Sequence, residues 1–114
     1  MTMRGSNIAK IPTVYIVASQ RNGTIYTGVT SNLLGRIHQH RTKTFKGFTA
    51  DHDCDRLVWF EVHETMESAI VREKRIKNWH RAWKLELIEK DNPTWRDLAL
   101  DFGFDPLDPP PPSS

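Results

Sequence analysis

Five polar side chains carry most of the chemistry this sequence can offer: Tyr15, Tyr26, Arg36, His40 and Glu73. A phenol or an imidazole can pass a proton. A guanidinium can hold an anion without losing its own proton, and a carboxylate can take up a cation. Tyr15 and Tyr26 stand eleven positions apart, in two β-rich runs separated by Asn22-Gly23. Arg36 and His40 are four apart, which stacks them on one face of a helix. Glu73 falls in the middle of an apolar stripe made by Met66, Ala69, Ile70 and Ile76. A carboxylate in such a stripe needs a cation or must line a cleft. That cation can be Arg36, Lys77 or a metal ion, and a structural salt bridge would satisfy Glu73 equally well.

The elements that must position these groups follow from pattern. Residues 14–19 and 24–30 read as the strands of a β-hairpin. A two-residue loop would pair residue 21 with 24 and set Tyr15 against Thr30. A four-residue loop, residues 20–23, pairs 19 with 24 and sets Tyr15 against Gly28. In both registers Tyr15, Tyr26 and Gly28 share a face, because side chains alternate along each strand. The four-residue loop is favoured, since it lays the Tyr15 ring over a residue without a side chain and within about 7–8 Å of Tyr26. Two core tyrosines in an ordinary hairpin fit the same pattern. Ser31 or Asn32 can cap a helix over residues 33–41. A polar loop over 42–55 carries Lys43, Lys46 and Phe48. Residues 57–62 form a third strand, with Trp59 and Phe60 on opposite faces. Thr65 can cap a helix over 66–79, a bend falls near Asn78, a second helical stretch runs over 80–90, and Asn92-Pro93 ends it. A short last helix is expected within 94–102. The expected fold class is α+β: a small three-stranded antiparallel sheet flanked by helices, in β-β-α-β-α-α order. Residues 1–11 read as a flexible leader, 12–91 as the domain, 92–104 as a C-terminal helical extension, and 105–114 as a Pro-rich disordered tail.

With 114 residues the chain supports one domain and a small core. The net charge of +2 hides an uneven distribution. From Arg72 to Lys84 stand Arg72, Lys74, Arg75, Lys77, Arg81 and Lys84 against the single acid Glu73, whereas acids dominate from Glu86 onward. The basic run, with Lys43 and Lys46, suits a surface that tracks phosphates; a solvated helix face would look the same. Trp79 and Trp83 lie in line with Ile76 and Leu87, a spacing that favours core over a base-stacking platform. The single cysteine, Cys54, leaves no partner for an internal disulfide and suits a reducing, cytoplasmic setting. No apolar run approaches the ~20 residues of a membrane span.

In order and spacing, these residues resemble the GIY-YIG nuclease family, specifically its small stand-alone members. The first motif stands here as Thr13-Val14-Tyr15 and the second as Tyr26-Thr27-Gly28. Arg36 and His40 match the family's Arg-x-x-x-His helix, and Glu73 matches its metal-binding glutamate. The likeness covers roughly residues 12–89. Two departures stand out. The first motif lacks its glycine and isoleucine. The asparagine many members carry about a dozen residues after the glutamate is replaced by Leu85.

The resemblance implies a phosphodiester-hydrolysing endonuclease. Tyr15 would take a proton from the attacking water, with His40 relaying it. Arg36 would hold the phosphate, and Tyr26 would position the phosphate or the water. Glu73 would bind one Mg²⁺ (or Mn²⁺). Gly28, Lys43, Lys46, Arg72, Arg75, Lys77 and Arg81 would contact nucleic acid, with DNA ahead of RNA as the partner. The family includes enzymes of DNA repair and recombination. No specificity domain is visible, so a protein partner could supply targeting; the oligomeric state is not set by the sequence. Two rivals remain: a nucleic-acid-binding module of the same fold with little or no catalysis, and a protein that binds partners through its Pro-rich tail.

Overall fold

The structure, a computed structural model, describes residues 10–42 and 54–107. Lys43, Lys46, Phe48, the leader before residue 10 and the tail from residue 108 lie outside the described residues. Strands β1 (Thr13–Ala18), β2 (Ile25–Thr30) and β3 (Arg56–Val62) form an antiparallel sheet in the order β2-β1-β3. Helix α1 (Leu33–Thr42) precedes β3; α2 (Met66–Lys77) and α3 (Arg81–Asp91) follow it. A 3₁₀ helix, Leu98–Phe102, forms the short last element. This is the expected α+β order.

Local chemistry explains the boundaries. The hairpin takes the four-residue loop: Ser19 N–H donates to Thr24 O at 2.9 Å, Gly23 N–H donates to Gln20 O at 2.9 Å, and Tyr15 pairs with Gly28. Asn22 adopts φ 59°, a left-handed conformation asparagine tolerates. Asn32 caps α1 through Gly35 N–H at 3.0 Å, and Thr65 caps α2 through Ser68 N–H at 3.1 Å. Helix α2 stops at Lys77, with Asn78 as its C-cap, two residues before the expected end at Trp79.

The central strand β1 is buried along its whole length, as a strand covered on both faces must be. Val14, Ile16 and Ala18 pack with Ala69 and Ile76 of α2, Ile88 of α3 and Trp95. On the other face Tyr15 and Val17 pack with Leu33 and Ile37 of α1, Leu57, and Ala99 of the 3₁₀ helix. A bulge offsets β3: Ile16 pairs with Trp59 but Val17 with Leu57. The extra residue puts Val58 and Trp59 in the same cluster, while Phe60 packs on the other, so Trp59 and Phe60 do take opposite faces. Met66, expected in the stripe of α2, is 36% exposed, because it lies in the first turn before the helix reaches the sheet.

Candidate active site

Gly28 is the floor of the site. A Cβ there would fall 2.5 Å from both Cζ and Oη of Tyr15, so any other residue would displace the ring. Glycine thus lets the Tyr15 phenol lie across β2 and carries its hydroxyl to the β2 edge of the sheet. From α1, His40 brings Nε2 to 3.1 Å from Tyr15 Oη. Helix α1 buries Leu33, Ile37 and His40, a stripe of spacing four and three; the imidazole therefore points inward and is not a surface histidine. Arg36, one turn earlier, is half-buried and hydrogen-bonds the same phenol. Tyr26 completes a ring cluster, with centroids 6.5 Å from Tyr15 and 6.0 Å from His40.

The fifth group comes from the opposite side of the sheet. Helix α2 lies across β2 and β1, and its Ala69 and Ile76 join the cluster beneath. Between them Glu73 is buried, as a polar residue in that stripe had to be. Its Oε2 meets Lys77 Nζ at 2.6 Å, and that ammonium sits 5.3 Å from the Tyr26 ring centroid. The end of α2 therefore reaches the tyrosine side at the β2 edge. The Glu73 charge is felt by the Tyr15 phenol.

Burial pushes the Tyr15 proton affinity well above the ordinary phenol value. The Arg36 charge and hydrogen bond oppose this, while Tyr26 and Glu73 add to it. At neutral pH Tyr15 is a phenol, not a phenolate. It can accept a proton only as it hands its own to a neighbour, and His40 is at hydrogen-bonding distance to receive it.

Of the residues assigned to nucleic acid from the sequence, the structure brings Gly28 and Lys77 to this site. Arg72 lies on the other flank of α2. It binds Glu61 at 3.0 and 3.4 Å, and its guanidinium sits 5.9 and 5.5 Å from the Trp59 and Trp79 rings. Arg81 donates to Asn22 O and Gly23 O of the hairpin loop at 3.1 and 2.7 Å. Arg75 is exposed, about 200° around the helix from Glu73. The basic run is thus divided among several directions. Trp79 and Leu87 pack against the core, whereas Trp83 is 53% exposed.

The altered first motif leaves the site itself untouched. Val14 is buried on the face opposite Tyr15, and the Thr13 hydroxyl donates to Ile11 O at 2.8 Å. Leu85, in the place of the expected asparagine, packs against the core. Sequence reasoning missed Arg41 and Asp97. Their ion pair joins the last turn of α1, beside His40, to a segment 56 residues further on. Nothing local in the sequence signals that contact.

A glycine floor, two phenols, an imidazole, a guanidinium and a buried carboxylate at one sheet edge define a nuclease-type site. The family model of the GIY-YIG catalytic domain matches residues 11–86, and the chain belongs to that family. Among its relatives are UPF0213 proteins of Staphylococcus aureus strains Mu3 and N315. Each is 34% identical over 77 residues, covering 68% of this chain and 93% of the relative. A UPF0213 protein of Bacillus halodurans, solved by solution NMR, superposes with a TM-score of 0.49 at 26% identity, over 75% of this chain and 90% of that one. This protein is therefore a small GIY-YIG protein with a nuclease-type domain. The family match stops at residue 86, ahead of Asn92, Trp95 and Asp97. No helix among the described residues is long and apolar enough to cross a membrane.

Proposed function

We propose that this protein is a metal-dependent endonuclease that hydrolyses phosphodiester bonds in DNA, including branched or single-stranded forms met in repair or recombination. The observation that carries the reading is the 3.1 Å contact between Tyr15 Oη and His40 Nε2, with Arg36 on the same phenol. In this reading Arg36 holds the non-bridging phosphate oxygens and stabilises the charge that grows on them. Tyr26 orients the phosphate or the attacking water. Tyr15 takes the water's proton while its own passes to His40 Nε2, so no phenolate need accumulate.

The donor set fits one hard divalent ion. Glu73 is a buried carboxylate beside a phosphate-sized space bounded by hydroxyls and a guanidinium. Among the described residues no cluster of three or more histidines, cysteines or carboxylates converges to cage a metal. A single carboxylate with water and phosphate oxygens completing the shell is ordinary for Mg²⁺, and Mn²⁺ can replace it. When bound, the ion supplies charge neutralisation at the phosphate and a more acidic water. Glu73 would hold it, and Lys77 together with Lys43 and Lys46 would contact the strand. A cytoplasmic setting and a protein partner for targeting belong to the same reading.

A module that binds nucleic acid without cutting is the second reading, favoured by Leu85 in the place of the asparagine. Purified protein incubated with single-stranded, duplex and branched DNA and with RNA, in Mg²⁺ or EDTA, separates the two. Cleavage of DNA that needs Mg²⁺ and Glu73 is expected. Binding without cleavage under every condition establishes the module instead.

A further inference from the structure

Lys77 has two partners in the site, and they imply different states. Its Nζ lies 2.6 Å from Glu73 Oε2 and 5.3 Å from the centre of the Tyr26 ring. The Lys77 side chain is 46% exposed, whereas that of Glu73 is 10% exposed. The carboxylate is therefore built into the wall, and the ammonium reaches it from solvent on a flexible stem.

We propose that Lys77 is an internal stand-in for the divalent ion. It holds Glu73 while no metal is bound, yields the carboxylate when the ion arrives, and then turns its ammonium to the phosphates of the strand. The proposal rests on the nuclease reading and adds a step to it.

Three physical points carry it. A carboxylate walled off from water needs a positive partner in every state. A divalent cation and an ammonium cannot share one carboxylate oxygen at contact distance, because their repulsion there is strong. Lysine is a hydrated point charge on a mobile four-carbon stem, so it can leave; an arginine fork would tend to stay bidentate. The surroundings leave this task to Lys77. Of the cations assigned to nucleic acid in α2 and α3, Arg72 and Arg81 are held by Glu61 and the hairpin loop, and Arg75 faces outward. A further consequence is coupling. A phosphate that draws Lys77 away frees Glu73 for metal, and metal that displaces Lys77 frees it for phosphate, by the same factor.

The test uses the full chain and Mn²⁺ as the probe, with free ion measured by electron paramagnetic resonance. Without nucleic acid, Lys77→Met should bind Mn²⁺ roughly five- to tenfold more tightly than the wild type, the effect of removing one competing charge. Lys77→Gln should move affinity in the same direction, and Lys77→Arg should bind no more tightly than the wild type. Glu73→Gln should abolish the site in each background. An uncleavable phosphorothioate oligonucleotide should tighten Mn²⁺ binding more in the wild type than in Lys77→Met. Equal Mn²⁺ affinities in the wild type, Lys77→Met and Lys77→Gln, all dependent on Glu73, would overturn the stand-in role and leave the nuclease reading intact. Absence of any Glu73-dependent Mn²⁺ binding, with or without oligonucleotide, would instead remove the metal-dependent reading on which the proposal rests.

Discussion

The two edges of the sheet use the same kinds of side chain for opposite ends. At the β2 edge, Tyr15, Arg36, His40 and Glu73 are aimed at one another over Gly28. At the β3 edge, the polar groups of the C-terminal segment are aimed at backbone. Asp97 Oδ1 accepts from Leu57 N–H at 3.3 Å and from Ala99 N–H at 3.1 Å, while its other oxygen binds Arg41 of α1. Asn92 Nδ2 donates to Val58 O at 3.0 Å and to Arg96 O at 2.8 Å, and its Oδ1 accepts from Arg96 N–H at 2.9 Å. Trp95 is fully buried and ties its Nε1 to Glu89 at 2.7 Å. A polar group bonded to backbone stiffens the fold and has no capacity left for a ligand. Polar groups that face each other across a gap remain available for chemistry. The β3 edge lies against chain that follows the family match, so this protein has sealed that edge with a segment of its own, as edge strands are commonly protected.

The sharpest break in the comparison is Trp95→Ala. Removing a fully buried indole should cost about 3–5 kcal/mol, enough to threaten a small domain. Chemical denaturation should show the loss, while cleavage per folded molecule stays close to wild type. A large loss of turnover in the folded fraction would mean that the sealed edge also shapes the site.

Tyr15→Phe should do the reverse. Turnover at saturating Mg²⁺ should fall by roughly 10² to 10⁴. Stability should fall by about 1–3 kcal/mol, because the partners of the hydroxyl lose a bond. Rates and melting curves on the same preparation decide. Near-wild-type cleavage would return the hairpin to an ordinary core role and make His40 the first candidate for the base.

Gly28→Ala tests the floor itself. The new methyl must push the Tyr15 ring, at a cost of about 1–3 kcal/mol, and should misplace the hydroxyl relative to His40. Activity should fall more than stability alone explains. A variant as active as wild type would show that the ring can move without consequence.

The smallest effect concerns pH. In the fold Tyr15 keeps its proton above the ordinary phenol value of 10.0, whereas the unfolded chain releases it near that value. The folded state then binds more protons than the unfolded state, so the Tyr15 contribution to stability is full below about pH 10 and declines above it. Subtracting the Tyr15→Phe stability curve from that of the wild type isolates this slope. A flat difference between about pH 9 and 11 would contradict the buried phenol.

Much of the β2 edge was legible in the chain. Alternation along the hairpin, the Asn22-Gly23 turn and the glycine at position 28 were enough for the Tyr15–Gly28 pairing, because register depends on local geometry and loop length. The caps Asn32 and Thr65 were readable for the same reason: a cap bonds to its own first turn. The apolar stripe of α2 predicted that Glu73 would be buried. It left open which cation would meet it, since Arg36, Lys77 and a metal ion all satisfy a carboxylate equally on paper.

Tertiary structure alone decided the rest. That the partner of Glu73 is Lys77 depends on α2 crossing the β2 edge so that one flank meets the tyrosines. The run from Arg72 to Lys84 looked like one basic surface because sequence orders charges along a line. The helix distributes them by angle, and Arg72 and Arg81 found acceptors in Glu61 and the hairpin loop. Residues 92–104 read as an appendage because their few apolar groups show no period. Trp95 and Ala99 nevertheless complete the two sides of the core, and Asp97 reaches Arg41 across 56 residues. The physical reason is range. Strand alternation, helix period, turns and caps act between residues close in the chain, so the sequence can carry them alone. Ion-pair choice and the packing of a terminal segment are set by which surfaces the fold brings together, and they exist only once it has formed.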